Sequence, residues 1–159
     1  MCCLHPRCEE SFWSSSCGTS ERGEESEVGI SERVATMVRA GTRLLSTELW
    51  SWGDITHGQL GTGDTVKRHR PTIISHLTGI GVCRIACGND HALAVSLDGR
   101  MFAWGRNHHN QVSLEMQANH STPQQITCLS ERVRSIAAGD NHSLVITHSD
   151  SVYYIGKGR

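Results

Sequence analysis

The chain has 159 residues, 37% hydrophobic and only 5% aromatic, with 16 glycines, three prolines and a formal net charge of −1. That length suits one domain with a modest core and many turns. The charge balance excludes bare nucleic acid or an anionic membrane as the main partner, and no apolar run approaches the roughly 20 residues of a membrane span.

Residues 1–45 read as a disordered or poorly ordered tail, and residues 46–159 as the folded part. The stretch "SSSCGTSERGEESEVG" is rich in Ser, Glu and Gly and shows neither helical nor strand periodicity. It cannot bury enough apolar surface to offset its ordering entropy. Within "SERVATMVRAGTRLL" a Ser-capped start predicts a short helix. "MCCLHPRCEESFW" lacks the apolar core of a signal peptide, so a cytoplasmic location is expected. The seven cysteines form no framework. Cys83 and Cys87 lie four apart on one predicted strand, roughly 13 Å by strand rise, beyond the reach of a disulfide. Reduced thiols are expected, and "CCLHPRC" has no second half-site for a metal.

Beyond the tail the chain repeats itself. "VCRIACGNDHALAVSLDGRMFAWG" lies over "VRSIAAGDNHSLVITHSDSVYYIG" at an offset of about 51, and "ELWSWGDITHGQLG" over "RMFAWGRNHHNQVS" at about 52. Self-similarity at this period is a mark of solenoids and propellers. Each unit reads as four short strands. "PTIIS", "VCRIAC", "HALAVSL" and "RMFAW" make one set, and "PQQITCL", "VRSIAA", "HSLVITH" and "SVYYI" the next. Gly88-Asn89-Asp90 and Gly139-Asp140-Asn141 are turn formers. Asp98-Gly99 signals a two-residue hairpin, with Ser149-Asp150 in its place one unit later. In "HALAVSL", His91, Leu93, Val95 and Leu97 share one face, and Ala92, Ala94 and Ser96 the other. The expected fold is all-β: a partial β-propeller of about two four-stranded antiparallel blades plus one extra strand.

The segments "ACGNDHALAVSLDGRMFAWGRN", "AAGDNHSLVIT" and "LWSWGDITHGQLGTGD" resemble the repeats of the regulator of chromosome condensation family. The combined Gly-x-x-His-x-Leu, Trp-Gly and Gly-Gln-Leu-Gly elements carry the likeness over roughly residues 48–159. "STELWSWG", "VRSIAAGDNHSLVI" and "VYYIGKG" resemble most the propeller of a large exchange factor for small GTPases. That likeness implies a guanine-nucleotide exchange setting, a cytoplasmic protein with endosomal association through its full length, and protein partners: small GTPases or sister domains. The family's founding member implies an alternative, in which the propeller itself acts as exchange factor on a Ran-like GTPase. Two blades cannot close a ring, so the chain is expected to be a fragment of a longer protein.

No catalytic motif is present, and no cofactor or metal is implied. Asp90–His91 has the composition of a general-base site, but His91 and His142 recur once per unit, which points to a structural role. Gly88, Gly139, Trp52, Gly53, Trp104 and Gly105 are equally read as parts of the repeat, with the tryptophans packed between blades. Ile155 stands where Trp52 and Trp104 stand, and Asn110-Gln111-Val112-Ser113 replaces Gly58-Gln59-Leu60-Gly61. The candidate interaction loop is Arg106, His108, His109 and Asn110, because His108-His109 is read as having no counterpart in the other units.

Overall fold

The computed structural model describes residues 2–3, 25–31, 34–40, 47–112 and 118–158. In chain order the strands are β1 (Cys2–Cys3), β2 (Glu25–Ser31), β3 (Val34–Ala40), β4 (Thr47–Gly53), β5 (Arg68–Ile73) and β6 (Val82–Cys87). There follow β7 (His91–Ser96), β8 (Met101–Gly105), β9 (His120–Ile126), β10 (Val133–Ala138), β11 (His142–Thr147) and β12 (Val152–Gly156). They form three antiparallel sheets, ordered β2-β3-β4-β5, β1-β6-β7-β8-β9 and β10-β11-β12. The fold is all-β, part of a β-propeller. No helix among the described residues is long and apolar enough to cross a membrane.

The strands group one step out of phase with the sequence pattern. "PTIIS" overlaps β5, which pairs with β4 rather than with β6, and "PQQIT" overlaps β9, which pairs with β8. A blade therefore closes after its Trp-Gly strand: the chain loops out and returns to pair with the strand it has just left. The third sheet accordingly has three strands among the described residues, and β4 belongs to a four-stranded sheet.

Strands β1, β2 and β3 fall inside the segment 1–45, where composition predicts no order. The expected helix over "SERVATMVRAGTRLL" gives way to β3, because β4 offers a full ladder running from Val34↔Gly53 to Ala40↔Thr47. The "CCLHPRC" motif beyond Cys3, residues 4–24, Ser113 and Arg159 lie outside the described residues.

The core lies between sheets, and strand alternation decides which side chain enters which layer. Ala92 and Ala94 of β7 join Leu49, Ile74, Leu77, Phe102 and Trp104 between the first and second sheets. Leu93 and Val95, one residue out of step, join Met101, Ala103, Val133, Val145 and Ile155 between the second and third. The small-residue side of β7 thus faces the first sheet and the large-residue side the third. Every residue of β7 is buried.

Leu97 breaks that alternation and is 46% exposed, because β7 stops at Ser96 and Leu97 opens the hairpin. That hairpin is a three-residue loop rather than a two-residue one. Gly99 N donates to Ser96 O and Ser96 N to Arg100 O, both at 2.9 Å, with Gly99 at φ 83°. The next unit repeats it, Thr147 N donating to Ser151 O, with Asp150 at φ 62° where Gly99 stood. A left-handed third residue is the usual feature of such loops.

Candidate interaction surface

The turns after β6 and β10 and the loops after β4 and β8 gather at one end of the sheets, where the junctions between sheets are tied. The Trp104 indole of β8 is 1% exposed. Its Nε1–H crosses the first junction and donates to Gln59 O at 2.9 Å. Gly61 lies against the same ring, where a Cβ would stand 2.8 Å from Nε1. Gln59, itself buried, accepts at Oε1 from Thr56 N and His57 N, at 3.1 and 2.9 Å, and so fixes the loop.

The second junction has the same loop and a different donor. Gln111 Oε1 accepts from His109 N at 2.9 Å, and Gln111 O accepts from Ser143 Oγ at 2.9 Å. Ile155 occupies the register of Trp104, and its cross-strand neighbour Ser143 occupies that of Ala92. The hydroxyl thus replaces the indole as donor. Asn110 takes φ 57° where Gly58 takes 81°; the short amide side chain tolerates that left-handed turn.

His91 belongs to this second junction. Its Nε2 lies 3.0 Å from Ser143 Oγ. Because the Ser143 hydrogen is committed to Gln111 O, the imidazole carries its proton on Nε2 and donates to Oγ. Nδ1 has no hydrogen-bond partner. Burial, with His142 nearby, pushes the His91 imidazole down to about 4, so it is neutral near pH 7. Asp90 aims its carboxylate elsewhere, and the buried His91–Ser143 pair has no opening to substrate. The arrangement is that of a structural peg.

Gly88 and Gly139 make room for the two rings. A Cβ on Gly88 would lie 2.3 Å from the His91 ring and 2.4 Å from Gly139 O; one on Gly139 would lie 2.2 Å from the His142 ring. Gly105 and Gly156 end their strands at φ 96° and 116°, against the starts of β7 and β11. The half-buried His142 ring stacks on Tyr154 at 5.3 Å. Trp52 and Gly53 close β4, with Trp52 half-buried on the side away from the second sheet.

The outward-facing groups form a second, solvent-side cluster. Asp90, 6% exposed at its side chain, lies 3.4 Å from Arg106 NH1 and 4.0 Å from His57 Nδ1. Arg106 N also donates to Asp90 O at 2.8 Å. The His108 ring meets His57 edge-on with centroids 6.1 Å apart. His57 and His109 share one loop position, since Gln59 and Gln111 each accept from the backbone N two residues before them. His109 therefore does have a counterpart, and His108 alone of the pair lacks one. Of the candidate residues, the structure brings Arg106 and His108 together around Asp90 and His57. His109 and Asn110 shape the loop beside them. The matched Gln59 and Gln111 were the sequence signal for this loop, while Ser143 gave none. No three His, Cys, Asp or Glu side chains among the described residues converge as a metal site.

These stacked sheets, with Gly-x-x-His turns at His91 and His142, Trp-Gly ends on β4 and β8 and Gln-anchored loops at both junctions, define a propeller of the regulator of chromosome condensation type. The chain matches the Alsin RCC1-like domain over residues 6–134 and belongs to that family. It is 33% identical over 125 residues to the alsin homolog of Drosophila melanogaster, covering 79% of this chain and 8% of that protein. It is 37% identical over 111 residues to the ultraviolet-B receptor UVR8 of Arabidopsis thaliana, covering 69% of this chain and 25% of the receptor. The crystal structure of human WBSCR16 superposes with a TM-score of 0.75 at 26% identity, over 87% of this chain and 34% of that one. The chain thus spans a quarter or less of these two relatives' lengths. The segments "STELWSWG", "VRSIAAGDNHSLVI" and "VYYIGKG" are those that resemble the alsin propeller.

Proposed function

We propose that residues 46–159 act as a non-catalytic, protein-binding and regulatory propeller segment of a cytoplasmic guanine-nucleotide exchange factor for small GTPases. The loop end of the sheets meets a protein partner, either a small GTPase or a sister domain of the longer protein. The observation that carries this reading is the Asp90–Arg106–His57–His108 cluster. It presents charged and aromatic groups from two adjacent sheets on a backbone that buried Gln59 and Gln111 hold rigid. Preformed surfaces of this kind lose little entropy on binding. Membership in the alsin family supports the exchange-factor setting.

The test is equilibrium binding of the chain to a panel of GDP-loaded small GTPases and to sister domains of the longer protein. His108→Ala and Arg106→Ala are expected to weaken a captured partner about tenfold, His108→Ala without lowering the melting temperature and Arg106→Ala with a loss of stability from the buried Asp90 it leaves behind. Binding that ignores both substitutions sinks the proposal. Nucleotide release measured in the same mixtures separates the direct-exchange alternative, which requires the chain alone to accelerate release from a Ran-like GTPase.

A further inference from the structure

At the hairpin end of the sheets, opposite the Asp90 cluster, the two junctions are built from equivalent residues and filled differently. Trp52 and Trp104 end equivalent strands, so Leu49 of β4 answers to Met101 of β8. Ile74 N donates to Leu49 O, and Ile126 pairs with Met101, so Ile74 and Ile126 answer to each other. Leu77 and Leu129 follow at the same interval, and Val82 and Val133 open β6 and β10. At the first junction these positions make a closed corner: Ile74 and Leu77 are 0% and 1% exposed, and Ile80 packs against the cluster they belong to. At the second, Met101 and Val133 stay buried but Ile126 and Leu129 are only half-buried. A cavity of about 340 Å³ opens there, lined by all four.

The cause is the linker that crosses this corner. Residues 75–81, with a single 3-10 turn at Ser75–Leu77, separate Ile74 from Val82; residues 127–132, one fewer and without that turn, separate Ile126 from Val133. Counted back from the inner strand, Glu131 stands where Ile80 stands. A carboxylate has no place in an apolar corner, and Glu131 instead accepts from Ser149 Oγ of the β11–β12 hairpin. The space that a branched aliphatic side chain fills in one copy of the repeat is thus left open in the next. Charge at its rim is uneven. Asp98 pairs with Arg100 at 2.7 Å, and Glu131 has the Ser149 hydroxyl. Arg132 lines the cavity too, and no acidic side chain among the described residues pairs with it.

We propose that this cavity docks an extended segment of a partner protein, which inserts one Ile or Leu side chain and sets an Asp or Glu beside it on Arg132. The inserted side chain takes the place that Ile80 takes at the first junction, and it removes Ile126 and Leu129 from water as it does so. The Arg132 guanidinium offers a fork of donors that fits a carboxylate, which fixes the direction in which the segment lies. The cavity is at the small end of binding sites, with room for one such side chain and its backbone rather than for a cofactor. It shares no residue with the Asp90 cluster and does not depend on what binds there.

The probes are three peptides capped at both ends, Gly-Ile-Glu-Gly, Gly-Ile-Gln-Gly and Gly-Ser-Glu-Gly. They are added at up to millimolar concentration to the chain labelled with 13C in its methionine methyl groups, and Met101→Leu assigns the Met101 signal. Gly-Ile-Glu-Gly is expected to shift the Met101 methyl in a saturable way. Gly-Ile-Gln-Gly is expected to need about tenfold more peptide for the same shift, and Gly-Ser-Glu-Gly to leave the signal in place. Arg132→Gln is expected to erase the tenfold difference between the two isoleucine peptides. Glu131→Ile is expected to fill the cavity from within, raising the thermal midpoint and abolishing the shift. The site is overturned if Gly-Ile-Glu-Gly gives no saturable shift, and the aliphatic insertion if the serine peptide shifts Met101 equally. A preference for Glu over Gln that survives Arg132→Gln overturns the part given to Arg132. A Glu131→Ile chain that melts no higher, or still responds to the peptide, overturns the correspondence with Ile80.

Discussion

Ser143 makes at the second junction the contact that Trp104 makes at the first: each donates, at 2.9 Å, to the backbone carbonyl of a loop glutamine in the preceding sheet. The two donors sit on neighbouring strands, at positions that face each other across the ladder. Losing the indole at Ile155 is thus compensated one strand away. Ser143→Ala leaves Gln111 O and the His91 Nε2–H unpartnered in a buried site, and is expected to cost about 2–3 kcal/mol in urea unfolding. Adding Ile155→Trp returns a donor to Gln111 O and is expected to recover about 1 kcal/mol. A double variant no more stable than Ser143→Ala alone disproves the exchange of donors.

The two ring-accommodating glycines differ in what surrounds them. Gly88 faces both the His91 ring and the Gly139 carbonyl of the next sheet, whereas the three atoms nearest a Cβ on Gly139 all belong to the His142 ring, which is half-buried rather than buried. Gly88→Ala is therefore expected to cost about 3 kcal/mol, and Gly139→Ala about 1 kcal/mol. Thermal melts of the two variants give the order, and equal losses contradict it.

The depressed His91 imidazole makes stability depend on pH. The unfolded chain takes up the proton near 6.5, and the folded chain only near 4. Between these values the unfolded state binds more protons, so stability is full above about 6.5 and falls as the pH drops toward 4. The loss over that window is about 3 kcal/mol. Burial lowers the His120 imidazole in the same direction. Denaturant midpoints measured from pH 7.5 to 4 report the slope, and His91→Gln is expected to flatten it.

Asn110 holds a left-handed backbone at φ 57°. Asn110→Gly is expected to be close to neutral, and Asn110→Val to cost about 1–2 kcal/mol, since a branched side chain clashes in that conformation. A valine variant as stable as the parent contradicts the assigned turn.

Much of this architecture is written locally. Alternation in "HALAVSL" sorts Leu93 and Ala92 into opposite layers, and the recurrence of His91 at His142 marks the repeat. The phase of the blades is not local. Nothing in "PTIIS" says that it pairs backward with β4, because pairing is settled by where the preceding loop delivers it. The site was legible in part for the same reason. Arg106 and His108 stood out in one loop, but Asp90 joins them only across the β7–β8 pair, and His57 only when sheets stack: His57 and Asp90, 33 residues apart along the chain, are brought to 4.0 Å. Ser143 was invisible because its role exists only opposite His91 and Gln111.

The loop that carries His108 and His109 ends at Gln111, and Gln111 has two duties. Its side chain shapes the outward surface, while its carbonyl is a foothold for the third sheet. A molecule that grips this loop therefore also pulls on the seam behind it. Pressure applied at the rim is felt one blade further round.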